Sequence, residues 1–262
     1  MEHHGEDVRA LRFVERRARL DELLGSIDHP HLEATELIDG ESWEAWADIR
    51  TTSRQWNAEG LMLKRKDTAV DMLLVADTHL GKDATFRRHG IPVPVGSTKG
   101  TLSTIAGVLR QTCATRLCIL GDLFHARSSL STEIRHQVDA FFDEFAHLKF
   151  SLIWGNHDAQ VGRLPAAWPI TVHEPGWCIG SLALGLHPMA PPEGADLSVC
   201  GHLHPAIRYR VGRESTGKLS CFWYSGGCLV LPAIGEFTGT HLIRPRQNDS
   251  TWFIAGNEVY SL

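Results

Sequence analysis

The 262-residue chain is 43% hydrophobic and 22% charged, a composition that fits one large globular domain, or one domain with a sizeable extension, and excludes disorder, collagen and coiled coil as overall descriptions. Its longest apolar runs, such as Met72 to Ala76 and Leu229 to Ile234, fall far short of the roughly 20 residues that cross a bilayer, and MEHHGEDVRA has no apolar signal core, so a cytoplasmic chain without a membrane partner is expected. The net charge of -5 is unevenly placed: residues 1–68 hold 10 Lys/Arg against 15 Asp/Glu, residues 69–262 hold 16 of each together with 11 of the 15 histidines and all six cysteines.

In chain order, Leu11, Val14, Leu20, Leu23 and Leu24 have amphipathic spacing, followed by the helix-like ESWEAWADIRTTSRQW and then EGLMLKRKD. This predicts a mainly helical N-terminal extension, 1–68, ahead of a second domain, 69–262. VDMLLVAD (70–77) reads as a buried strand delivering Asp77 at its carboxyl edge. Helical spacing of Leu102, Ile105, Val108 and Leu109 predicts a helix over 97–113, with Ser97 or Thr98 as N-cap. RLCILGD (116–122) repeats the strand-then-carboxylate arrangement. Ile134, Val138, Phe141, Phe142, Phe145 and Leu148 form the apolar stripe of a helix starting near Ser131, and KFSLIWGNHD (149–158) is a third strand with a polar end. Beyond residue 175 the helical period disappears. WCIGSLALGLHP, DLSVCGHLHPAIRYRV, KLSCFWYSG, CLVLPAI, THLIRP and TWFIAGNEVYSL read as successive strands between Gly, Pro, Asn and Asp turns. An α/β half followed by a β-rich half implies two packed sheets with helices outside. The cysteines have no zinc-type spacing, and those in apolar runs, such as Cys118 and Cys200, read as buried reduced thiols.

The polar residues at the strand ends form a set. Asp77-Thr78-His79, Gly121-Asp122, Gly155-Asn156-His157-Asp158, His187 and Gly201-His202-Leu203-His204 all follow apolar strands. These oxygen and nitrogen donors suit Mn, Fe or Zn and are too rich in imidazole for Ca or a pure Mg site. His202 and His204, two residues apart on an extended segment, can face one pocket.

The ordered set DxH, GD, GNHD, H, GHxH resembles the calcineurin-like metallophosphoesterase superfamily. The resemblance implies a four-layer αββα fold of two mixed sheets flanked by helices. It also implies two divalent cations, Mn first, with Fe or Zn as alternatives. Carried over by motif position, Asp77, His79 and His204 would hold one ion, Asn156, His187 and His202 the other, and Asp122 would bridge them. His187 lacks a motif glycine and is placed by chain order and by the strand LALGL. Paired cations bind phosphoryl oxygens and generate hydroxide at neutral pH. His157 would protonate the leaving oxygen, as histidine can near neutrality. Asp158 would orient that imidazole or brace the turn, the supporting role being favoured.

His125 and Arg127 lie just past Asp122, where nuclease members of the superfamily place a histidine near the phosphate. KDATFRRHG puts Lys82, Arg87 and Arg88 beside Phe86, a combination suited to a nucleic-acid backbone and an unstacked base. With GDLFHAR, CGHLHPA and LPAIGEFTG (231–239), residues 70–262 are most similar to bacterial ligase-associated DNA damage response endonucleases, which are encoded beside an ATP-dependent DNA ligase and a helicase. The implied activity is phosphodiester hydrolysis in DNA, with ligase and helicase as functional associates. The alternatives are a phosphoesterase for a cyclic nucleotide, nucleotide-lipid or phosphoprotein, and a non-catalytic repair scaffold. Oligomeric state is left open, a homodimer included.

The first quarter carries a second resemblance. HGEDVRALRFVERRARLDELL followed by WNAEGLMLKRKDT is similar to part of the adenylation domain of ATP-dependent DNA ligases, with Glu59 and Lys64 at positions of the fourth nucleotidyltransferase motif. No KxDG precedes it and no final KxK follows, so ligation is not implied. At under 70 residues the segment buries little apolar surface, and partial order is expected.

Overall fold

The computed structural model describes residues 2–3, 6–7, 11–25, 72–112, 114–211, 214–256 and 258–262. Glu59, Lys64, the segments ESWEAWADIRTTSRQW and EGLMLKRKD, and Cys113 lie outside the described residues. The chain divides into two compact units, Met1–Asp71 and Met72–Leu262. In the first, β1 (Glu2–His3) and β2 (Glu6–Asp7) pair antiparallel, and helix α1 spans Phe13–Gly25. The amide of Arg12 donates to Glu15 Oε2 at 2.8 Å, occupying a donor that the first helical turn leaves without an intrahelical partner.

The second unit opens with β3 (Met72–Ala76), the short helix α2 (Lys82–Arg88) and helix α3 (Ser97–Gln111). Then follow β4 (Arg116–Leu120), helix α4 (Thr132–Glu144), β5 (Lys149–Ile153), the short helix α5 (Asn156–Val161) and β6 (Ile170–His173). The four strands form a wholly parallel sheet in the order β3-β4-β5-β6. Parallel neighbours need crossover connections, which the helices supply. β6 was not expected, because its alternating Ile-Thr-Val-His is short and only half-buried.

The remaining strands are β7 (Trp177–Ile179), β8 (Leu182–Leu184), β9 (Leu197–Cys200), β10 (Pro205–Val211), β11 (Glu214–Ser225), β12 (Cys228–Val230), β13 (His241–Leu242), β14 (Ser250–Ala255) and β15 (Glu258–Ser261). They build one mixed nine-stranded sheet. The expected change from α/β to β-rich sequence is found, and after Val161 no helix occurs among the described residues.

Side-chain alternation along the parallel strands explains the layers. Ala76, Cys118, Leu120 and Ile153 pack against Leu184 and Val199 of the second sheet and Leu231 just past β12. Their alternates Val75, Leu117, Ile119, Phe150 and Leu152 pack against Ile105 and Leu109 of α3 and Ile134, Val138, Phe141 and Phe142 of α4. Full burial of a residue such as Leu120, Ile153 or Leu184 contributes about 1.5–3 kcal/mol. The result is the expected α/β sandwich of two packed sheets, with helices outside the first, which is wholly parallel where a mixed sheet was expected because each of its neighbouring strands is joined through a crossover. Cys118, Cys200, Cys221 and Cys228 are buried free thiols, and Cys178 is an exposed one.

Ser131 caps α4 as expected, accepting from the Ile134 amide at 3.4 Å. At α3 the expectation fails. The N-cap is Gly96, with no side-chain cap bond. Thr98 Oγ1 instead accepts from the Gly81 amide at 2.9 Å, and the Ser97 hydroxyl bonds Asp83. Both candidate caps serve the turn and helix that follow β3.

Candidate metal centre

The polar segments beyond the strands are held together by extension of the strand ladder. His79 N donates to Asp122 O and Leu80 N to Leu123 O, each at 2.9 Å, while Thr78 Oγ1 donates to Leu123 O at 2.8 Å. From the segment between β12 and β13, Ile234 N donates to Ala76 O at 3.0 Å and Gly235 N to Asp77 O at 3.3 Å. Among the described residues, the non-glycine residues with left-handed backbone are Asp77, His79, Asp122, His202 and His204 (φ 43 to 68°). Each costs about 1–2 kcal/mol relative to the right-handed form. Strain of this kind persists where surrounding structure over-determines it, and it clusters at functional sites. Every one of these residues belongs to the ligand set expected from sequence.

Two glycines permit the approach of the loops. A Cβ on Gly155 would overlap the backbone N and Oδ1 of Asp122, and one on Gly201 would lie 2.6 Å from Asp77 Oδ2 and 3.0 Å from Leu120 O. These contacts give the glycines of GNHD and GHxH a physical reason. Asp158 braces the same region. Its fully buried carboxylate accepts from Phe124 N (Oδ1, 3.2 Å) and Gly155 N (Oδ2, 3.1 Å), and burial pushes its pKa up to about 6 against those bonds. The carboxylate is thus committed to the backbone of two loops.

Asp77, His79 and His204 bring ligand atoms within 4.8 Å of one another, as do His79, His125 and His157. His204 Nε2 lies 3.4 Å from Asp77 Oδ1 and 3.4 Å from His79 Nε2, and Asp122 Oδ2 lies 4.0 Å from His79 Nε2. The remaining carboxylate oxygens are anchored: Asp77 Oδ2 accepts from His202 N at 2.8 Å and Asp122 Oδ1 from His157 N at 2.9 Å. The His187 and His202 rings meet edge to face, centroids 4.2 Å apart. His187 and Asn156 are exposed, Asn156 as the first residue of α5.

These residues fit a divalent ion. Asp77 Oδ1, one of the converging atoms, is a buried polar atom without a hydrogen-bond partner, a condition that costs free energy unless another ligand satisfies it. His204 Nδ1 lies 3.0 Å from Gly239 O, so in the neutral ring Nδ1 carries the hydrogen and Nε2 a lone pair, the arrangement of a metal-ligating histidine braced by a carbonyl. Burial, then Lys82 and the neighbouring histidines, hold the His79 pKa at about 2. Burial also lowers that of His202. Neutral imidazoles are the ligating form. Burial, opposed by the His157 amide, raises the pKa of Asp122.

The histidines past Asp122 form a second group. His157 Nδ1 lies 2.7 Å from His125 O, and the two rings stack with centroids 5.0 Å apart. His125 is held to a pKa of about 4 by burial, Lys82 and His157. Of the basic residues, Lys82 lines a hollow of about 390 Å³ with His202, Leu203, His204, Gly239, Thr240 and His241. Arg87 Nη1 donates to Asp83 Oδ2 (3.0 Å) and Pro94 O (3.1 Å), and Arg88 Nη1 to Ser128 O (3.4 Å). Arg127 is exposed at the start of a 3₁₀ turn, Arg127–Ser129. Sequence reasoning assigned no role to 235–241, although Gly239 braces His204 and His241 lines the hollow. The signal was LPAIGEFTG, present but without a chemical group that suggests a ligand.

The two-sheet α/β sandwich and its Asp/His cluster define a chain with a candidate metal centre at the carboxyl ends of its strands. Among solved structures it is similar to Pseudomonas putida nuclease MPE, at 33% identity and TM-score 0.63, over 75% of this chain and 90% of that one. The chain belongs to the family of that nuclease. No family model matches it, and no curated protein matches it. No helix among the described residues is long and apolar enough to cross a membrane.

Proposed function

We propose that the chain is a two-metal phosphodiesterase that cleaves DNA during ligase-associated repair, within the calcineurin-like metallophosphoesterase superfamily. The observation that carries this reading is the convergence of Asp77, His79 and His204 ligand atoms within 4.8 Å, with Asp77 Oδ1 buried and unpartnered, in a member of a nuclease family.

In this reading Asp77, His79 and His204 hold one ion, Asn156, His187 and His202 a second, and Asp122 faces both. Mn is the expected metal, with Fe or Zn as alternatives. When bound, the ions neutralise phosphoryl charge and activate the attacking water. The protein's own groups do the rest. The His125 carbonyl accepts from Nδ1–H of His157, so that the doubly protonated ring presents its Nε2 proton to the departing oxygen and is left neutral, while Asp158 fixes the loop that presents that ring. Lys82 contacts phosphate from the hollow. His125, Arg127, Arg87 and Arg88 complete the set assigned to phosphate, Arg87 also bonding Asp83 and Pro94 within 82–97 and Arg88 bonding Ser128 O. Residues 1–68 form an extension to a catalytic domain at 69–262, and DNA ligase and helicase are functional associates.

The test compares chelator-stripped and Mn-loaded protein on single-stranded DNA and on cyclic nucleotides. Mn-dependent cleavage of DNA is expected, with kcat/KM at least about tenfold above that for a cyclic nucleotide, corresponding to about 1.4 kcal/mol. A reversed preference would move the assignment to a small-nucleotide phosphodiesterase, and cleavage of neither would favour a scaffold.

A further inference from the structure

Core aromatics in this protein are buried: Phe141, Phe142, Phe145 and Phe150 are at most 8% exposed. Phe86 and Phe237 differ. Both are only partly buried, and they meet edge to face with centroids 5.6 Å apart and planes at 82°. They are joined to the metal centre through a chain of rings. Phe86 lies 5.7 Å from His125, His125 stacks on His157 at 5.0 Å, and His157 lies 4.9 Å from His79. Lys82 Nζ lies 5.9 Å from the centre of the Phe86 ring, and Lys82 also lines the hollow that contains His202 and His204. A cation and an aromatic corner therefore adjoin the site where the phosphodiester would react.

The corner is held in place. Phe86 belongs to α2, and the Phe237 loop is tied to α3 by Glu236 N donating to Thr101 Oγ1 at 3.1 Å, and closed by Thr238 N donating to Gly235 O at 3.1 Å. A fixed, half-exposed aromatic surface beside a phosphate-binding cation is the arrangement by which proteins stack an unpaired base while gripping its backbone.

We propose that Phe237, together with Phe86, is a stacking surface for an unpaired nucleobase of the substrate, next to the phosphate that is cleaved. This rests on the reading of the metal centre as a DNA phosphodiesterase and assigns Phe237 a role in substrate selection. A base engaged in pairing and stacking within a duplex would not be available to this surface, so the corner favours strands with unpaired bases.

The experiment measures Mn-dependent cleavage of an oligothymidylate and of an equally long strand of abasic tetrahydrofuran phosphates. Wild type should show a KM about tenfold lower for the base-bearing strand, within the range of base–aromatic stacking. Phe237→Leu should reduce that ratio to about threefold or less, with kcat on the abasic strand kept. Phe237→Trp, which enlarges the stacking face, should retain or widen the ratio. An unchanged ratio in Phe237→Leu, a ratio near one in wild type, a Phe237→Leu protein that cleaves neither strand, or a ratio lost in Phe237→Trp would overturn the assignment. Wild type that cleaves neither strand with Mn would overturn the phosphodiesterase reading and this inference with it.

Discussion

Asp122→Asn is expected to lower Mn-dependent hydrolysis by at least about 10³-fold, the several kcal/mol that paired cations contribute to transition-state stabilisation, and at the same time to stabilise the metal-free protein. The two effects have one origin. Asp122 is 1% exposed, and burial and the neighbouring Asp77 raise its pKa against the bond from the His157 amide. Without a cation, its ionised form is a desolvated charge near a second carboxylate. Asparagine preserves the shape and the Oδ1 acceptor for His157 N and removes the charge. A gain of about 1 kcal/mol, typical of relieving a functional site, should appear in chemical unfolding of chelated protein at neutral pH. The sign with pH follows from the direction of the shift. A raised folded-state pKa means that the native state binds this proton more tightly than the unfolded chain, so the carboxylate costs stability as pH rises through the folded pKa. The advantage of Asp122→Asn should therefore vanish below the ordinary carboxylate value of roughly 4. Unchanged hydrolysis in the variant would remove Asp122 from the centre.

His157→Ala is expected to slow cleavage of DNA by about 10²- to 10⁴-fold, the usual contribution of a positioned general acid, and to slow cleavage of a thymidine p-nitrophenyl phosphodiester by much less. The difference tests the role itself. A departing deoxyribose alkoxide needs a proton, whereas p-nitrophenolate leaves without one. The geometry that supports this is the 2.7 Å approach of Nδ1 to the His125 carbonyl, which fixes the ring, and the 4.9 Å separation of the His157 and His79 rings, which places it beside the proposed metal ligands. Equal losses on the two substrates would instead give His157 a binding role.

Much of this centre was legible because its parts are local. An apolar run that ends in Asp or His is a strand followed by a donor, so Asp77, His79 and Asp122 could be placed at the edge of a parallel sheet without coordinates. The resemblance of the ordered motifs to the metallophosphoesterase superfamily then implied their association. Their shared left-handed backbone was not legible, because it depends on hydrogen bonds such as His79 N to Asp122 O that join segments 43 residues apart. The helical form of 82–88 was missed for a related reason. Its Asp83 is buried, and although burial alone would raise that carboxyl, bonds from Arg87 and Ser97 hold its pKa below the usual value. The same bonds that order the segment engage Arg87, which from sequence looked as available as Lys82. Phe237 was hidden because an isolated phenylalanine carries no sign of its exposure, which here is set by a loop tied to Thr101, 135 residues away.

The most direct measurement is a titration of chelator-stripped protein with Mn, in which bound metal is counted while DNA hydrolysis is followed in the same samples. Two Mn ions per chain are expected, with hydrolysis appearing as the second binds and with at least one ion lost in Asp122→Asn. Full hydrolysis in the stripped protein, or hydrolysis that appears with no Mn bound at these residues, would contradict the account.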